Sequence, residues 1–237
     1  KLRGTGGTRN CDWWFSEQAI LLDTAGRLAT GEDDRDEWLG FLDILRRFRP
    51  SRPLEGVIVA VSAEDLLSSS ELELEELGKT LRARADEVMN RLEMVLPLYV
   101  MVTKVDLVAG FSEFWGDLGK SQRAQPWGAS FRFDEELAEP ARAIEFEFEA
   151  LQRVLYARML QRLNGEPLAE ARARVLQFPL EFAALKRPVA TFVDELCRTN
   201  PYQETPLLCG FYFSSGTQTG RQIDRVLSNM SRGFNLP

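Results

Sequence analysis

A chain of 237 residues, 44% of them hydrophobic, is long enough for one large domain or for a core domain with a subdomain. Its 36 acidic and 29 basic side chains leave a net charge of −7, which argues against non-specific nucleic-acid binding, since that rests on neutralising phosphates with Lys and Arg. It has no histidine, which excludes histidine general-base catalysis and histidine metal ligation.

Residues 1–12 are rich in Gly, Thr and Asn and read as a loop. Trp13–Phe15 and Ala19–Leu22 read as two strands joined by a short polar turn, with Trp13 or Trp14 expected to alternate into the core. Residues 27–36 read as polar loop. From Asp36 to Phe48, Trp38, Leu39, Leu42, Leu45 and Phe48 recur at helical spacing. Arg46, Arg47 and Arg49 fall at the C-terminal end of that helix, where cations suit the dipole, and Pro50 and Pro53 follow. Gly56–Val61 is unbroken and β-branched, the pattern of a buried central strand. Ser69–Leu96 reads as a long helix stopped by Pro97, and Leu98–Val102 as the next strand. Phe111–Leu118 reads as a short amphipathic segment, and 119–133 as irregular. Asp134–Leu163 reads as a second long helix with Leu137, Ala141, Ile144, Phe148, Leu151, Leu155 and Leu163 in phase. Leu168–Phe178 and Phe182–Arg198 read as further helix interrupted by Pro179 and Pro188. Cys209–Phe213 reads as the last strand and 220–231 as the final helix.

Strands alternating with helices predict an α/β fold: a mostly parallel, right-handed sheet flanked by helices, with strands at 19–22, 57–61, 98–102 and 209–213. Residues 134–200 read as an all-helical subdomain inserted into an α/β domain made of 1–133 and 201–237. The insertion suits either a docking module or a lid that completes the core. Asp33, Asp34 and Asp36, and the Glu71–Glu76 run, read as solvated surface. Cys11, Cys197 and Cys209 form no C-x-x-C pair, which argues against zinc and for reduced thiols. No apolar stretch reaches the roughly 18 residues of a membrane span, and the chain, starting at Lys1, is expected to be a piece of a longer protein.

Two polar motifs each end an apolar run: Asp23-Thr24-Ala25-Gly26 after Ala19–Leu22, and Thr103-Lys104-Val105-Asp106 after Leu98–Val102. In open α/β sheets ligands bind beyond the carboxyl ends of the strands. There Asp23 would hold Mg²⁺ through water, and Gly26 would bring its N–H to a γ-phosphate. Asp106 would accept two hydrogen bonds from a guanine edge, with the Lys104 stem along the base. Asp-x-x-Gly alone is a common turn sequence. Its pairing with Thr-Lys-x-Asp, in this order and with a strand between, points to a P-loop GTPase-like fold. A flavodoxin- or receiver-like domain would leave Thr103–Asp106 and Ser214–Gly216 unexplained.

The strings Gly6-Gly-Thr-Arg-Asn-Cys-Asp-Trp-Trp-Phe15, Leu22-Asp-Thr-Ala-Gly-Arg27, Pro53–Ser62, Val102–Leu107 and Phe211–Thr217 resemble the cytoplasmic region of the IcmF/TssM proteins, inner-membrane components of the bacterial type VI secretion system. The resemblance spans nearly the whole chain. It implies a GTPase-like domain of an integral membrane protein on the cytoplasmic face of the inner membrane. Its implied partners are other membrane-complex subunits, an outer-membrane lipoprotein and the cytoplasmic baseplate. It also implies roles by position. Thr8 would be a switch threonine ligating Mg²⁺ beside Asp23. Gly26 would meet the γ-phosphate; Thr103, Lys104 and Asp106 would read the base of GTP or ATP; Ser214, Ser215 and Gly216 would form the last base-contacting loop.

Two departures set limits. No G-x-x-x-x-G-K-[ST] occurs, and Gly4–Thr8 lacks the Lys and spacing that cradle β- and γ-phosphates. In the family that loop would precede Lys1. Arg27 stands where many GTPases orient water with Gln, and a guanidinium accepts no hydrogen bond. The expectation is therefore a nucleotide-dependent switch in the parent protein, or a degenerate GTPase-like scaffold, with this chain alone inactive.

Overall fold

The chain, described by a computed structural model over residues 11–31, 34–132 and 137–216, opens with an antiparallel hairpin of β1 (Cys11–Phe15) and β2 (Ile20–Thr24). Ser16 closes its turn: Oγ donates to the Ala19 carbonyl and accepts the Ala19 N–H, each at 2.9 Å. The short α1 (Gly26–Thr30) and the amphipathic α2 (Arg35–Phe48) lead to β3 (Val57–Ser62). Ser62 then caps α3 (Ala63–Ser68), its Oγ accepting the Asp65 N–H at 3.0 Å. Ser70 and Glu73 form a capping box at the start of α4 (Glu71–Leu92). The expected single helix over 69–96 is thus α4, preceded by a separate short α3.

From β4 (Pro97–Thr103) the chain makes a 3₁₀ turn at Val105–Leu107, then the short helices α5 (Phe111–Trp115) and α6 (Lys120–Arg123). Next comes β5 (Trp127–Ser130), within a segment expected to be irregular. The helices α7 (Pro140–Gly165), α8 (Ala169–Ala183) and α9 (Lys186–Leu196) precede β6 (Leu207–Phe213). Pro179 lies inside α8 without ending it, buried beside Phe178 and Phe182. Tertiary packing there overrides the local cost of a helical proline. The expected helix over 220–231 and residues 1–10 of the loop expected at 1–12 lie outside the described residues, while Cys11 and Asp12 of that loop belong to β1.

The main sheet has the order β3-β4-β6-β5. β3, β4 and β6 run parallel, and β5 joins β6 antiparallel, so the protein is α/β with a mostly parallel, mixed sheet flanked by helices. The strand expected at 19–22 in that sheet is corrected: among the described strands β2 pairs only with β1, in a separate two-stranded sheet. Neither Trp13 nor Trp14 alternates into the core; they remain 51% and 46% exposed. β3, whose β-branched run suits a strand flanked on both sides, pairs on one edge only among the described strands. β5 was hidden because its residues are few and its pairing depends on Gly128, where a Cβ would meet the Phe211 carbonyl oxygen at 2.1 Å.

Two apolar clusters hold the layers together. In the larger, Val100, Val102, Phe211 and Phe213 of the sheet pack with Phe148, Phe178, Phe182 and Phe192 of α7–α9. The helices of 134–200 and the strands therefore share one core. Phe148 stacks on Phe182 at 4.8 Å between centroids, and Trp127 stacks on Phe182 at 4.9 Å. The smaller cluster lies between α2 and α4, through Leu42, Leu45, Val88 and Leu92, and both Leu22 of β2 and Val57 of β3 rest on it. Among the described residues no helix is long and apolar enough to cross a membrane.

Candidate functional site

The register brings the carboxyl ends of three strands level. Ser62 of β3 stands opposite Thr103 of β4, and Val102 opposite Phe213 of β6. The segments that leave these strands therefore meet at one edge. Ser214 continues the ladder: its N–H donates to the Val102 carbonyl at 2.8 Å, and its own carbonyl accepts the Val105 N–H at 3.2 Å. The Gly216 N–H donates to Oδ1 of Asp106 at 3.4 Å. Thr103 donates from Oγ1 to the Val61 carbonyl at 3.4 Å. Ser215 lies on the same loop and is exposed. Thr103, Lys104, Asp106, Ser214, Ser215 and Gly216 are thus gathered at one corner.

Lys104 takes a left-handed backbone, φ 56° and ψ 31°, uncommon for a residue with a Cβ. That conformation turns the chain from β4 straight into the 3₁₀ turn that carries Asp106. Its Nζ lies 3.6 Å from Oε2 of Glu64, in the first turn of α3. Glu64 is a neighbour that motif reading did not pick out; the Ser62-x-x-Asp65 capping pattern, which fixes the start of α3, was the signal available.

The Asp23–Gly26 motif sits apart from this corner in the secondary structure, on the hairpin rather than on the main sheet. Asp23 is exposed and directly opposite Asp12 across the ladder. Gly26 opens α1 with no atom within 4 Å of where a Cβ would stand. Arg27 is engaged by its neighbours: its guanidinium reaches Asp34 at 2.6 Å and Glu37 at 3.0 Å. Those carboxylates raise its pKa further, hydrogen bonding to Glu37 first, so it stays a fixed cation at the start of α2. Thr8 lies outside the described residues.

Among the described residues no group of three or more His, Cys, Asp or Glu side chains is placed to hold a metal ion. A cavity of about 170 Å³ lined by Val95, Pro206 and Leu207, and one of about 530 Å³ lined by Pro140, Asp194 and Arg198, lie away from this corner.

The model of the IcmF-related N-terminal domain family matches residues 31–237. The chain is similar to the type VI secretion system component TssM1 of Pseudomonas aeruginosa, 45% identical over 241 aligned positions, covering 99% of this chain and 22% of that protein. The chain thus spans about a fifth of the length of that curated relative. No solved structure matches it.

Proposed function

The chain belongs to the IcmF-related N-terminal domain family, and on that premise we propose that it is the GTPase-like domain of a type VI secretion membrane-complex protein, with its base-reading corner at Lys104–Asp106. The observation that carries this reading is the convergence of Asp106 with the Ser214–Gly216 loop at the carboxyl edge of the sheet. A nucleotide base placed there would meet the Asp106 carboxylate at its edge and the Lys104 stem along its face. Ser214, Ser215 and Gly216 would close the far side. A charge-assisted hydrogen bond of this kind contributes about 1.5–3 kcal/mol.

The phosphate side of the site is assigned to the longer polypeptide. Nothing in these 237 residues spells G-x-x-x-x-G-K-[ST]. β2 and β3 also rest on the same helix cluster without pairing to each other. Asp23, Gly26 and Thr8 would complete the phosphate and Mg²⁺ side only with that segment present. When bound, the metal would neutralise phosphate charge; the residues of this chain would hold and orient the base. The proposed switch is the reorganisation of the Thr8 and Arg27–Asp36 segments with nucleotide state.

A second reading, a GTPase-like scaffold that no longer turns over nucleotide, draws on Arg27, which is held by Asp34 and Glu37 and accepts no hydrogen bond from water. In either reading the partners are other membrane-complex subunits and the cytoplasmic baseplate. The helices of 134–200, with Phe146, Val154 and Leu160 of α7 all more than 60% exposed, are proposed to carry contacts to them.

Calorimetric titration separates the readings. The longer parent protein should bind GTP or ATP with Mg²⁺, and Asp106→Asn should weaken guanine binding about 10- to 100-fold. This chain alone should bind either nucleotide more weakly than about 1 mM. No binding by the intact parent would leave the scaffold reading; binding unaltered by Asp106→Asn would remove the base-reading corner.

A further inference from the structure

The C-terminal turn of α2 has an unusual composition for an acidic protein. Four arginines, Arg46, Arg47, Arg49 and Arg52, fall within seven residues and surround Phe48. Phe48 is 73% exposed and Ile44, one turn earlier, 56%. The inner face of the same helix is buried through Leu42 and Leu45 against α4, so Ile44 and Phe48 form a second, outward apolar edge.

The charges around that edge do not cancel. Arg46 is matched by Glu93 at 2.5 Å, Arg49 by Glu55 at 3.0 Å, and Asp43 is taken by Arg91 at 2.6 Å. Among the described residues Arg47 and Arg52 have no ion-pair partner, and Arg47 lies over the Phe48 ring at 5.8 Å. One uncompensated cation, Arg47, thus lies over the protruding ring, and a second, Arg52, follows four residues after Phe48 in the chain. Carboxylates farther away do not offset them, because fields between exposed charges decay over about 8 Å at physiological ionic strength.

We propose that this turn is a peripheral contact for an anionic lipid surface, with Arg47 and Arg52 taking lipid phosphates while Phe48 and Ile44 enter the headgroup boundary. Charge complementarity selects the anionic surface. The shape favours lipid over a folded partner: the apolar side chains stand out from a helix end, and neither of the two cavities includes them. Interfacial binding combines burial of apolar and aromatic side chains with attraction of basic ones to anionic lipid. The inference is independent of nucleotide binding.

The test is flotation of this chain with vesicles of phosphatidylglycerol and phosphatidylcholine, against phosphatidylcholine alone, in 50 mM and 500 mM salt. Each arginine near such a surface contributes about fivefold in partitioning. Binding to anionic vesicles is expected, with Arg47→Gln/Arg52→Gln lowering it roughly 25-fold, and high salt acting the same way. Phe48→Ser is expected to weaken it further without changing the salt dependence. Leu176→Ser/Leu180→Ser, on α8 where both side chains are 47% exposed, is expected to leave it unchanged. Circular dichroism checks that each variant is folded. Failure of the wild type to prefer anionic vesicles would overturn the proposal. So would an equal loss with the α8 variant, which marks non-specific adsorption, or binding to polyglutamate but not to vesicles, which marks an acidic protein partner.

Discussion

The carboxylate of Asp106 accepts the backbone N–H of Gly216 at 3.4 Å, across 110 residues of sequence, and so ties the loop after β4 to the loop after β6. Two residues before Asp106, Lys104 holds a left-handed backbone. The tie and the turn belong together. Without the left-handed step the chain would leave β4 along the strand direction, and Asp106 would not reach the neighbouring loop.

That conformation costs a residue with a Cβ about 1–2 kcal/mol, part of which glycine recovers at the expense of its own backbone entropy. Lys104→Gly is therefore expected to stabilise the chain by about 0.5 kcal/mol, read as a higher urea midpoint with an unchanged slope. In the longer parent protein the same change should weaken nucleotide binding. A lower midpoint would show that the turn is unstrained; a higher one with undiminished binding would remove Lys104 from the site.

Arg82 secures the connector that leads into β6. It is 7% exposed, and its guanidinium donates to the carbonyls of Arg198 at 2.6 Å and Glu204 at 3.1 Å and to Asp86 at 2.7 Å. These bonds pin the connector between α9 and β6 to α4. Arg82→Met would leave buried acceptors and a carboxylate unpaired, costing about 3–5 kcal/mol. Lysine carries the charge but not the fork, so Arg82→Lys should recover less than half of that loss. Urea unfolding of both variants measures it, and a loss below about 1 kcal/mol for Arg82→Met would mean that water replaces the clamp.

How much of this was legible in the sequence varies with the range of the interaction. The runs at 57–61 and 98–102 announce β3 and β4, because β-branched residues without a polar break suit only a buried strand. The positions of Lys104 and Asp106 at a strand end follow from the same run. β1 and β2 were legible as two strands joined by a short turn, but not that β2 stays out of the main sheet: Leu21 and Leu22 look like core, yet pairing is decided by which strand lies alongside, and among the described strands that is β1. Pro179 misled in the other direction, since a helix break written into local chemistry gave way to packing against Phe178 and Phe182. The Arg82 clamp joins α4 to carbonyls more than 110 residues away and left no mark on the local pattern.

The edge of β3 that no described strand pairs has a consequence in solution. An exposed apolar edge pairs readily with another chain, and natural proteins blunt such edges with charge. Ile58 is 49% exposed and carries none. This chain alone is expected to self-associate with rising concentration, and Ile58→Lys to suppress that association while leaving circular dichroism unchanged. Sedimentation velocity across a hundredfold concentration range is the measurement. A strictly monomeric wild type would show that the edge is already protected.

The thiols give a readout of both burial and pH. Cys197 is 2% exposed, and burial pushes its thiol up from 9.0 to about 12, against a smaller opposing pull from Arg82. Burial also raises Cys209, and burial together with the nearby Asp12 and Asp23 raises Cys11, though Cys11, on the hairpin, is only half-buried. At pH 8 a disulfide-exchange reagent should titrate Cys11 in the folded protein, more slowly than a free thiol, and the other two only on unfolding. The sign for stability follows from the direction of the shift. The folded state holds the Cys197 proton more tightly than the unfolded state does, so its contribution is fully present below the unfolded value and is lost as pH rises from about 9 toward 12. Each pH unit in that window should cost up to about 1.4 kcal/mol more in the native protein than in Cys197→Ala, whose starting stability is lower but whose alkaline slope is flatter. Parallel slopes for the two proteins between pH 9 and 11 would mean that Cys197 ionises in the folded state, and that α9 does not keep it from solvent.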